Sequence, residues 1–374
     1  MSEAVQRGGR GAAAAGAIGL AVCAAGLFAD PRAVAEGYLA AALFWTNVAV
    51  GALAILLTHQ LTGGAWGRFA APVLLGATAM LPWLAVLFVP LVFALGELYP
   101  WAGAAPGGIP AHLVGWFRLP FFAARTAVSF AIWIALAALV ARAARRGERA
   151  SRLASGGLIL YVLTITVFAV DWIVAREPGW YTTAAGFVLS GAQFSAALGF
   201  ACVASALLPG PMAAEHAKGR QQDLGNLLLS AILFLAYVAY MEFLIIWEGD
   251  LPAEIGWFVA RNDGVWPDVA MLMVLLQLAM PMLLLARPVK RSRYGFLAVS
   301  ACALAGSLAV AVWLAGPAPG PGALPLRWPF TAAAVLGIGG VCLFAFFRAL
   351  GEPARGAGAP RRATAGASRP ERSA

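Results

Sequence analysis

The chain has 374 residues, of which 61% are hydrophobic and only 11% are charged, and its formal net charge is +9. A soluble globular domain carries about 25% charged residues, so this composition predicts a membrane protein. Long apolar segments recur along nearly the whole chain, which excludes a separate soluble catalytic domain of the usual size, about 100 to 150 residues.

Ten segments are long and apolar enough to cross a bilayer, whose core needs about 20 apolar helical residues. The predicted spans are residues 12–29, 36–58, 69–96, 119–141, 155–175, 181–207, 224–247, 267–286, 295–315 and 328–350. The first resembles a secretory signal, because Arg7 and Arg10 precede an apolar run. Its length of about 18 residues and the poorly cleavable Leu27 near its end favour a retained membrane anchor.

Arginine and lysine are divided unequally between the two sets of loops. Twenty lie on the side that includes both termini, five lie on the other side, and Arg125 lies inside a span. Because cytoplasmic loops are enriched in positive charge, both termini are predicted to be cytoplasmic, and the other side is the predicted outer side. The positive charge is thus a topology signal that favours contact with membrane lipid, and nothing in the sequence supports nucleic-acid binding.

The layout of the loops suggests an internal duplication of a four-helix unit. Spans two to five and spans six to nine have the same order of charged and acidic loops, and Glu97 and Glu248 occupy corresponding span ends. The fold class predicted is all-α, a polytopic membrane protein with two tandem four-helix bundles and one flanking helix at each end. An alternative is that any ten-span protein shows such alternation. The predicted divisions are 1–35 (N-terminus and first helix), 36–146 (first bundle), 147–293 (second unit with its preceding helix), 294–350 (last two helices) and 351–374 (disordered cytoplasmic tail).

Cysteine and histidine do not form a recognisable cofactor motif. The four cysteines lie singly in apolar segments, and the three histidines have no partner at the same depth on a neighbouring span. A di-haem cytochrome b needs four histidines, and the P-loop, zinc-protease and dinucleotide-binding motifs do not occur. The sequence therefore predicts a chain with no metal or redox cofactor of its own.

Three ionisable residues lie inside predicted spans, where a charge is costly and usually marks a binding site or a pathway. Arg125, Asp171 and Glu242 each lie about 8 to 9 Å below the predicted outer surface, at 1.5 Å per residue. Adjacent antiparallel helices bring Arg125 and Asp171 within reach of each other, with Thr164 on the same face as Asp171, and Glu97 ends a nearby span. These charges indicate proton transfer or ligand binding. The alternatives are an ion pair that only fixes helix register and side chains that snorkel to the membrane surface.

The predicted outer loop that follows Asp171 carries more charge and more aromatic residues than a membrane anchor needs. Residues 242–261, EFLIIWEGDLPAEIGWFVAR, form a second acidic and aromatic rim, which could attract a basic partner or relay protons. The alternative interpretation is a solvated polar turn. The first loop adds four candidate residues: Arg176, Glu177, Trp180 and Tyr181.

Five segments carry a resemblance to a known family. DWIVAREPGWYTTAAG and WEGDLPAEIGWFVAR resemble segments of the polysulfide-reductase-like membrane subunits of alternative complex III, a bacterial quinol:electron-acceptor oxidoreductase. THQLTGGAWGRFAAP, LYPWA and FFAART are more similar to the F subunit of that complex than to its C subunit. The resemblance covers about residues 36–293.

The resemblance implies a subunit of a respiratory complex in the bacterial inner membrane that acts in quinol oxidation or proton translocation. Its implied partners are an iron-sulfur subunit, c-type cytochrome subunits, a second homologous membrane subunit, and quinol or quinone. In the C-type relative a histidine and an aspartate are implicated in quinol binding; here Asp171 can supply the carboxylate, but His112 lies in a loop. F-type relatives often carry Gln in place of Glu242, which favours a proton relay at this glutamate.

The candidate residues named above are therefore predicted to lie near quinol or to transfer protons, while the chain by itself is not catalytic. Two alternatives stay open. One is the membrane anchor of a polysulfide-reductase-type molybdenum enzyme. The other is a secondary transporter, for which Pro82 and Pro90 would interrupt a helix near its midpoint.

Overall fold

The computed structural model describes residues 3–103, 114–177, 180, 182–208, 217–250, 252–316 and 327–351. In this part of the chain the regular elements are all helical, and ten helical segments are long and apolar enough to cross a membrane. The predicted all-α polytopic membrane fold is therefore confirmed. His112, His216, Tyr181 and residues 352–374 of the predicted tail lie outside the described residues.

The helices are numbered in chain order. They are α1 (Glu3–Gly26), α2 (Pro31–Thr62), α3 (Ala65–Thr78), α4 (Leu81–Leu87), α5 (Val89–Phe93), α6 (Leu95–Leu98), α7 (Leu119–Arg146), α8 (Ser151–Trp172), α9 (Ala185–Leu207), α10 (Ala217–Gly249), α11 (Pro252–Val259), α12 (Trp266–Val274), α13 (Arg287–Arg291), α14 (Arg293–Ala315) and α15 (Arg327–Gly351).

Several span boundaries differ from those predicted. Helix α1 ends at Gly26 instead of residue 29, because Asp30 caps α2: its Oδ1 accepts a hydrogen bond from the backbone N–H of Ala33 at 2.9 Å. Helix α9 starts at Ala185 instead of residue 181, after a turn in which the Ala184 N–H donates to Thr182 Oγ1. On the predicted cytoplasmic side, the ends of α1, α7 and α10 extend into polar sequence that a hydropathy pattern does not include.

The third span is not the continuous helix predicted over residues 69–96. It consists of α3, α4, α5 and α6, because Pro82 and Pro90 lack the N–H group that would continue the hydrogen-bond ladder and each starts a new short helix. The interruption leaves the Leu87 carbonyl available to a side chain, and the Tyr38 hydroxyl donates a hydrogen bond to it at 3.1 Å. The break is thus satisfied within the protein.

The eighth span is also irregular, although the sequence predicted a single helix over residues 267–286. Helix α12 passes into a π-helical turn, Leu275–Ala279, and then into a 3-10 helix, Met280–Leu285. Pro281 starts the 3-10 segment and cannot donate a backbone hydrogen bond. The π turn directs Gln277 into the protein, where it is buried.

Helix α2 lies at the centre of the molecule, with residues 33–57 buried. It packs against α3, α8, α9, α14 and α15, while α9 also packs against α10 and α14. The second to fifth spans therefore contact the sixth to ninth spans mainly through α2 and α9. The division of the chain at residues 146 and 293 stays a prediction.

Glycine allows α1 and α15 to pack at close range. A Cβ atom on Gly19 would lie 2.4 Å from the backbone N of Gly337, whereas a Cβ on Gly11 of the same helix meets nothing within 4 Å. Gly19→Leu is therefore expected to lower the free energy of unfolding by about 1 to 3 kcal/mol, the usual cost of overpacking. Thermal denaturation in detergent measures the change, with Gly11→Leu as the control. An unchanged denaturation temperature for Gly19→Leu would show that this contact does not stabilise the protein.

The orientation in the membrane stays a prediction that reporter fusions can test. The loop after α7 contains Arg149 and the loop after α11 contains Asp263, and an odd number of spans separates the two positions. A reporter that is active only in the cytoplasm should be active when it is fused after Arg149. A reporter that is active only outside the cytoplasm should be active when it is fused after Asp263. Two fusions that report the same side would contradict the ten-span topology.

Candidate functional site

Arg125 and Asp171 form the ion pair that their depths predicted. Arg125 donates from Nε to Asp171 Oδ2 and from Nη2 to Oδ1, both at 2.8 Å, and the exposed fractions of the two side chains are 9% and 2%. Trp116 completes the group: its carbonyl accepts from Arg125 Nη1 at 2.9 Å, and its Nε1 donates to Asp171 Oδ1 at 3.1 Å. These three residues, called the Arg125 cluster below, join α7, α8 and the segment before α7.

The surroundings of the Arg125 cluster are aromatic and tightly packed. The Arg125 guanidinium lies 4.1 Å from the centre of the Trp116 ring and 4.3 Å from that of Phe121. Beside the cluster, the indole N–H of Trp172 donates to Thr126 Oγ1, and Phe122 packs against the Trp172 ring. Each nitrogen of Arg125 and each oxygen of Asp171 is hydrogen bonded. This geometry locks the ends of two helices together.

A cavity of about 960 Å³ lies between α9, α10, α12, the π turn and α14, with α11 at its rim. Its walls are mainly apolar, and its volume is within the range of small-molecule pockets, about 300 to 1,000 Å³. Tyr240 on α10 and Met271 and Val274 on α12 line it and are exposed. The cavity therefore opens sideways between α10 and α12, along the surface that would face lipid.

Glu242 lines this cavity near the predicted outer side. Its Oε1 accepts a hydrogen bond from Thr182 Oγ1, which also accepts one from the backbone N–H of Ala184 just before α9. Glu242 is half-buried, and its second carboxylate oxygen has no hydrogen-bond partner among the described residues. One oxygen is thus held in place while the other can interact with a molecule in the cavity.

Arg261 lies at the rim of the same cavity and is 5% exposed. It donates from Nη1 to the Trp257 carbonyl at 2.8 Å and from Nε to the Trp313 carbonyl at 3.2 Å, and its guanidinium lies 3.4 Å from the centre of the Trp257 ring. Burial lowers the pKa of Arg261, the nearby Arg176 lowers it further, and Glu177 opposes both. Since its charge is poorly compensated, a hydrogen-bond acceptor in the cavity would be favoured beside it.

Two residues that line the cavity each have a buried polar group with no hydrogen-bond partner in the described part of the chain. One is the indole N–H of Trp180, whose ring stacks on Trp257 with 4.5 Å between the ring centres. The other is Nε2 of Gln277, whose Oε1 accepts from Ser307 Oγ at 3.3 Å. Buried donors without a partner are costly, so both sites are suited to a ligand that accepts hydrogen bonds.

The structure places the predicted site residues in more than one group. Glu242 and Trp180 line the cavity, whereas the Arg125 cluster lies outside its lining. Arg176 is buried in a 3-10 turn, 5.9 Å from the centre of the Tyr99 ring, and Glu177 follows it, half-buried. Glu97 is exposed at the end of α6, and its side chain has no hydrogen bond or ion pair to a described residue. Tyr181 is outside the described residues.

Sequence reasoning missed Arg261 and Gln277 as site residues. Arg261 is one of the five basic residues on the predicted outer side. The aromatic residues near it in sequence were the available indication of a buried cation. Gln277 is the single strongly polar residue of the segment LLQLAMP, and a polar residue in a span was the available signal.

No family model matches the chain, and no curated protein matches it significantly. The resemblance to the membrane subunits of alternative complex III stays a prediction.

Proposed function

We propose that the chain is an integral membrane subunit of a quinol:electron-acceptor oxidoreductase of the alternative complex III type, located in a bacterial inner membrane with both termini in the cytoplasm. The observation that carries the proposal is the laterally open cavity with Glu242 on its wall. A quinol is an apolar ring and tail with two hydroxyl groups, and it is dissolved in the bilayer. It would reach the cavity from the lipid, between α10 and α12.

Oxidation of a quinol to a quinone releases two electrons and two protons. In the proposal the electrons pass to an iron-sulfur or haem c centre of a partner subunit. Glu242 accepts one proton through its free carboxylate oxygen, and water at the outer mouth accepts the other. The chain contributes binding and proton transfer, and it does not catalyse the reaction by itself.

The Arg125 cluster has a positioning role in this proposal. It fixes the end of α8, and the segment that follows α8 supplies Ile173 and Trp180 to the wall of the cavity. A direct proton-transfer role for Asp171 is a separate hypothesis, which the paired substitutions discussed below can test.

Purification of the tagged chain from its native membrane tests the proposed function against its alternatives. An iron-sulfur subunit, c-type cytochromes and a second homologous membrane subunit should copurify, and the preparation should reduce cytochrome c with quinol. A copurified molybdenum subunit would instead identify the anchor of a polysulfide-reductase-type enzyme. A chain that is purified without any redox partner would favour a transporter.

A further inference from the structure

We infer that the cavity binds a ring-shaped ligand at two ends, with Gln277 at the deep end of the cavity and Glu242 at the outer end. This arrangement suits a ring that carries oxygens at opposite positions. The inference rests on the proposed function for the identity of the ligand, a 1,4-quinone or its quinol. It assigns Gln277 as a binding residue.

The orientation of the Gln277 side chain is set by its neighbours. The Ser307 hydroxyl has one hydrogen, which it shares between Oε1 of Gln277 at 3.3 Å and the Ala303 carbonyl at 3.1 Å. A Cβ on Gly306 would lie 2.6 Å from the backbone N of Gln277, which shows how closely α14 approaches the π turn. The amide nitrogen Nε2 is buried and unpaired, and Gln277 is one of the residues that line the cavity.

The two ends lie at different depths. Glu242 is seven residues before the end of α10 at Gly249, and Gln277 is eleven residues after the start of α12 at Trp266. At 1.5 Å per residue these positions are about 10 Å and 16 Å from the outer ends of their helices. A ring with oxygens about 5 Å apart and a hydrogen bond of about 2.8 Å at each of them can bridge this difference in depth together with the gap between the two helices.

The rest of the lining is consistent with such a ring. Leu235, Val310 and Leu314 provide apolar walls, and the opening between α10 and α12 can accept an isoprenoid tail. At the outer end, Arg261 and the unpaired indole N–H of Trp180 add donors near Glu242. A phospholipid would place its phosphate near Arg261 and its acyl chains against Gln277, and the buried amide would stay without a partner. The geometry therefore favours the ring over a lipid.

The experiment compares two probes on the full-length chain in lipid nanodiscs. One is a decyl-substituted 1,4-benzoquinone, and the other is a decylphenol with a single ring oxygen; empty nanodiscs measure partition into lipid. We expect the wild type to bind the quinone more tightly. Gln277→Met keeps the side-chain volume and removes the donor, so it should weaken quinone binding by about 5- to 30-fold. Binding of the phenol should change less than about twofold, since it reaches only the outer end.

Gln193→Met is the matched control. Gln193 is also a buried glutamine whose Oε1 is held, by the Tyr161 hydroxyl at 2.8 Å, and whose Nε2 is unpaired, but it does not line the cavity. Its replacement should leave the binding of both probes unchanged. Gln277→Asn keeps an amide but shortens its reach, so it should also weaken quinone binding. This variant serves as the test if Gln277→Met does not accumulate.

The failures of the two proposals can be told apart. A wild-type chain that binds neither probe above the empty nanodisc level would contradict quinol binding and the proposed function with it. Quinone binding that is strong in the wild type and unchanged in Gln277→Met or Gln277→Asn would overturn the two-ended site alone. Anionic phospholipid that displaces the quinone, and that binds wild type and Gln277→Met with equal affinity, would identify the cavity as a lipid site.

Discussion

Glu242→Gln is expected to slow quinol-dependent reduction of the acceptor by the assembled complex by about 10²- to 10⁴-fold, the usual contribution of a positioned proton acceptor. Gln has the same shape as Glu, and its amide oxygen can still accept the hydrogen bond from Thr182. Assembly should therefore be normal. What the substitution removes is the carboxylate oxygen that can take a proton from a quinol hydroxyl.

Glu248→Gln is the matched control for this prediction. Glu248 lies on the same helix, α10, but it is exposed and does not line the cavity. The two variants should be compared for the yield of assembled complex and for the rate of acceptor reduction at saturating quinol. An assembled Glu242→Gln complex that works at the wild-type rate would exclude Glu242 as a proton acceptor. An equal loss in both variants would point to the overall negative charge at this end of α10.

Asp171→Asn is expected to reduce the yield of folded chain severely. The substitution leaves the Arg125 guanidinium with an uncharged partner at a site where both side chains are almost completely buried. Loss of one member of a buried ion pair typically costs about 3 to 5 kcal/mol, a large part of the stability of most proteins. The measurements are the amount of monodisperse protein extracted from membranes and its denaturation temperature.

The double variant Arg125→Gln with Asp171→Asn separates structure from chemistry. It removes both charges, and Asn can still accept the indole N–H of Trp116, so most of the lost folding should be recovered. We expect quinol turnover to recover with assembly, because the Arg125 cluster lies outside the cavity lining. Slow turnover in a fully assembled double variant would instead show that Asp171 also transfers protons.

Features that depend on single segments could be predicted from the sequence alone. The ten spans of the described residues are 20 to 32 residues long, at least the length that a bilayer core requires, so composition in a window of about 20 residues was enough to find them. The contact between Arg125 and Asp171 also followed from local information, since two charges at one depth on consecutive antiparallel helices have few other partners in lipid.

Tertiary structure decided the shape of the candidate site. The π turn directs Gln277 inwards, and Gly306 lets α14 approach closely enough for Ser307 to hold its amide, although the two segments are about 30 residues apart in sequence. The Arg261 guanidinium is buried because α11 brings Trp257 beside Trp313 of α14. Hydropathy reports how apolar a helix is and not which of its faces meets another helix. A cavity forms where the faces of several helices pack around it, so its position and its polar ends could be determined only from the packed molecule.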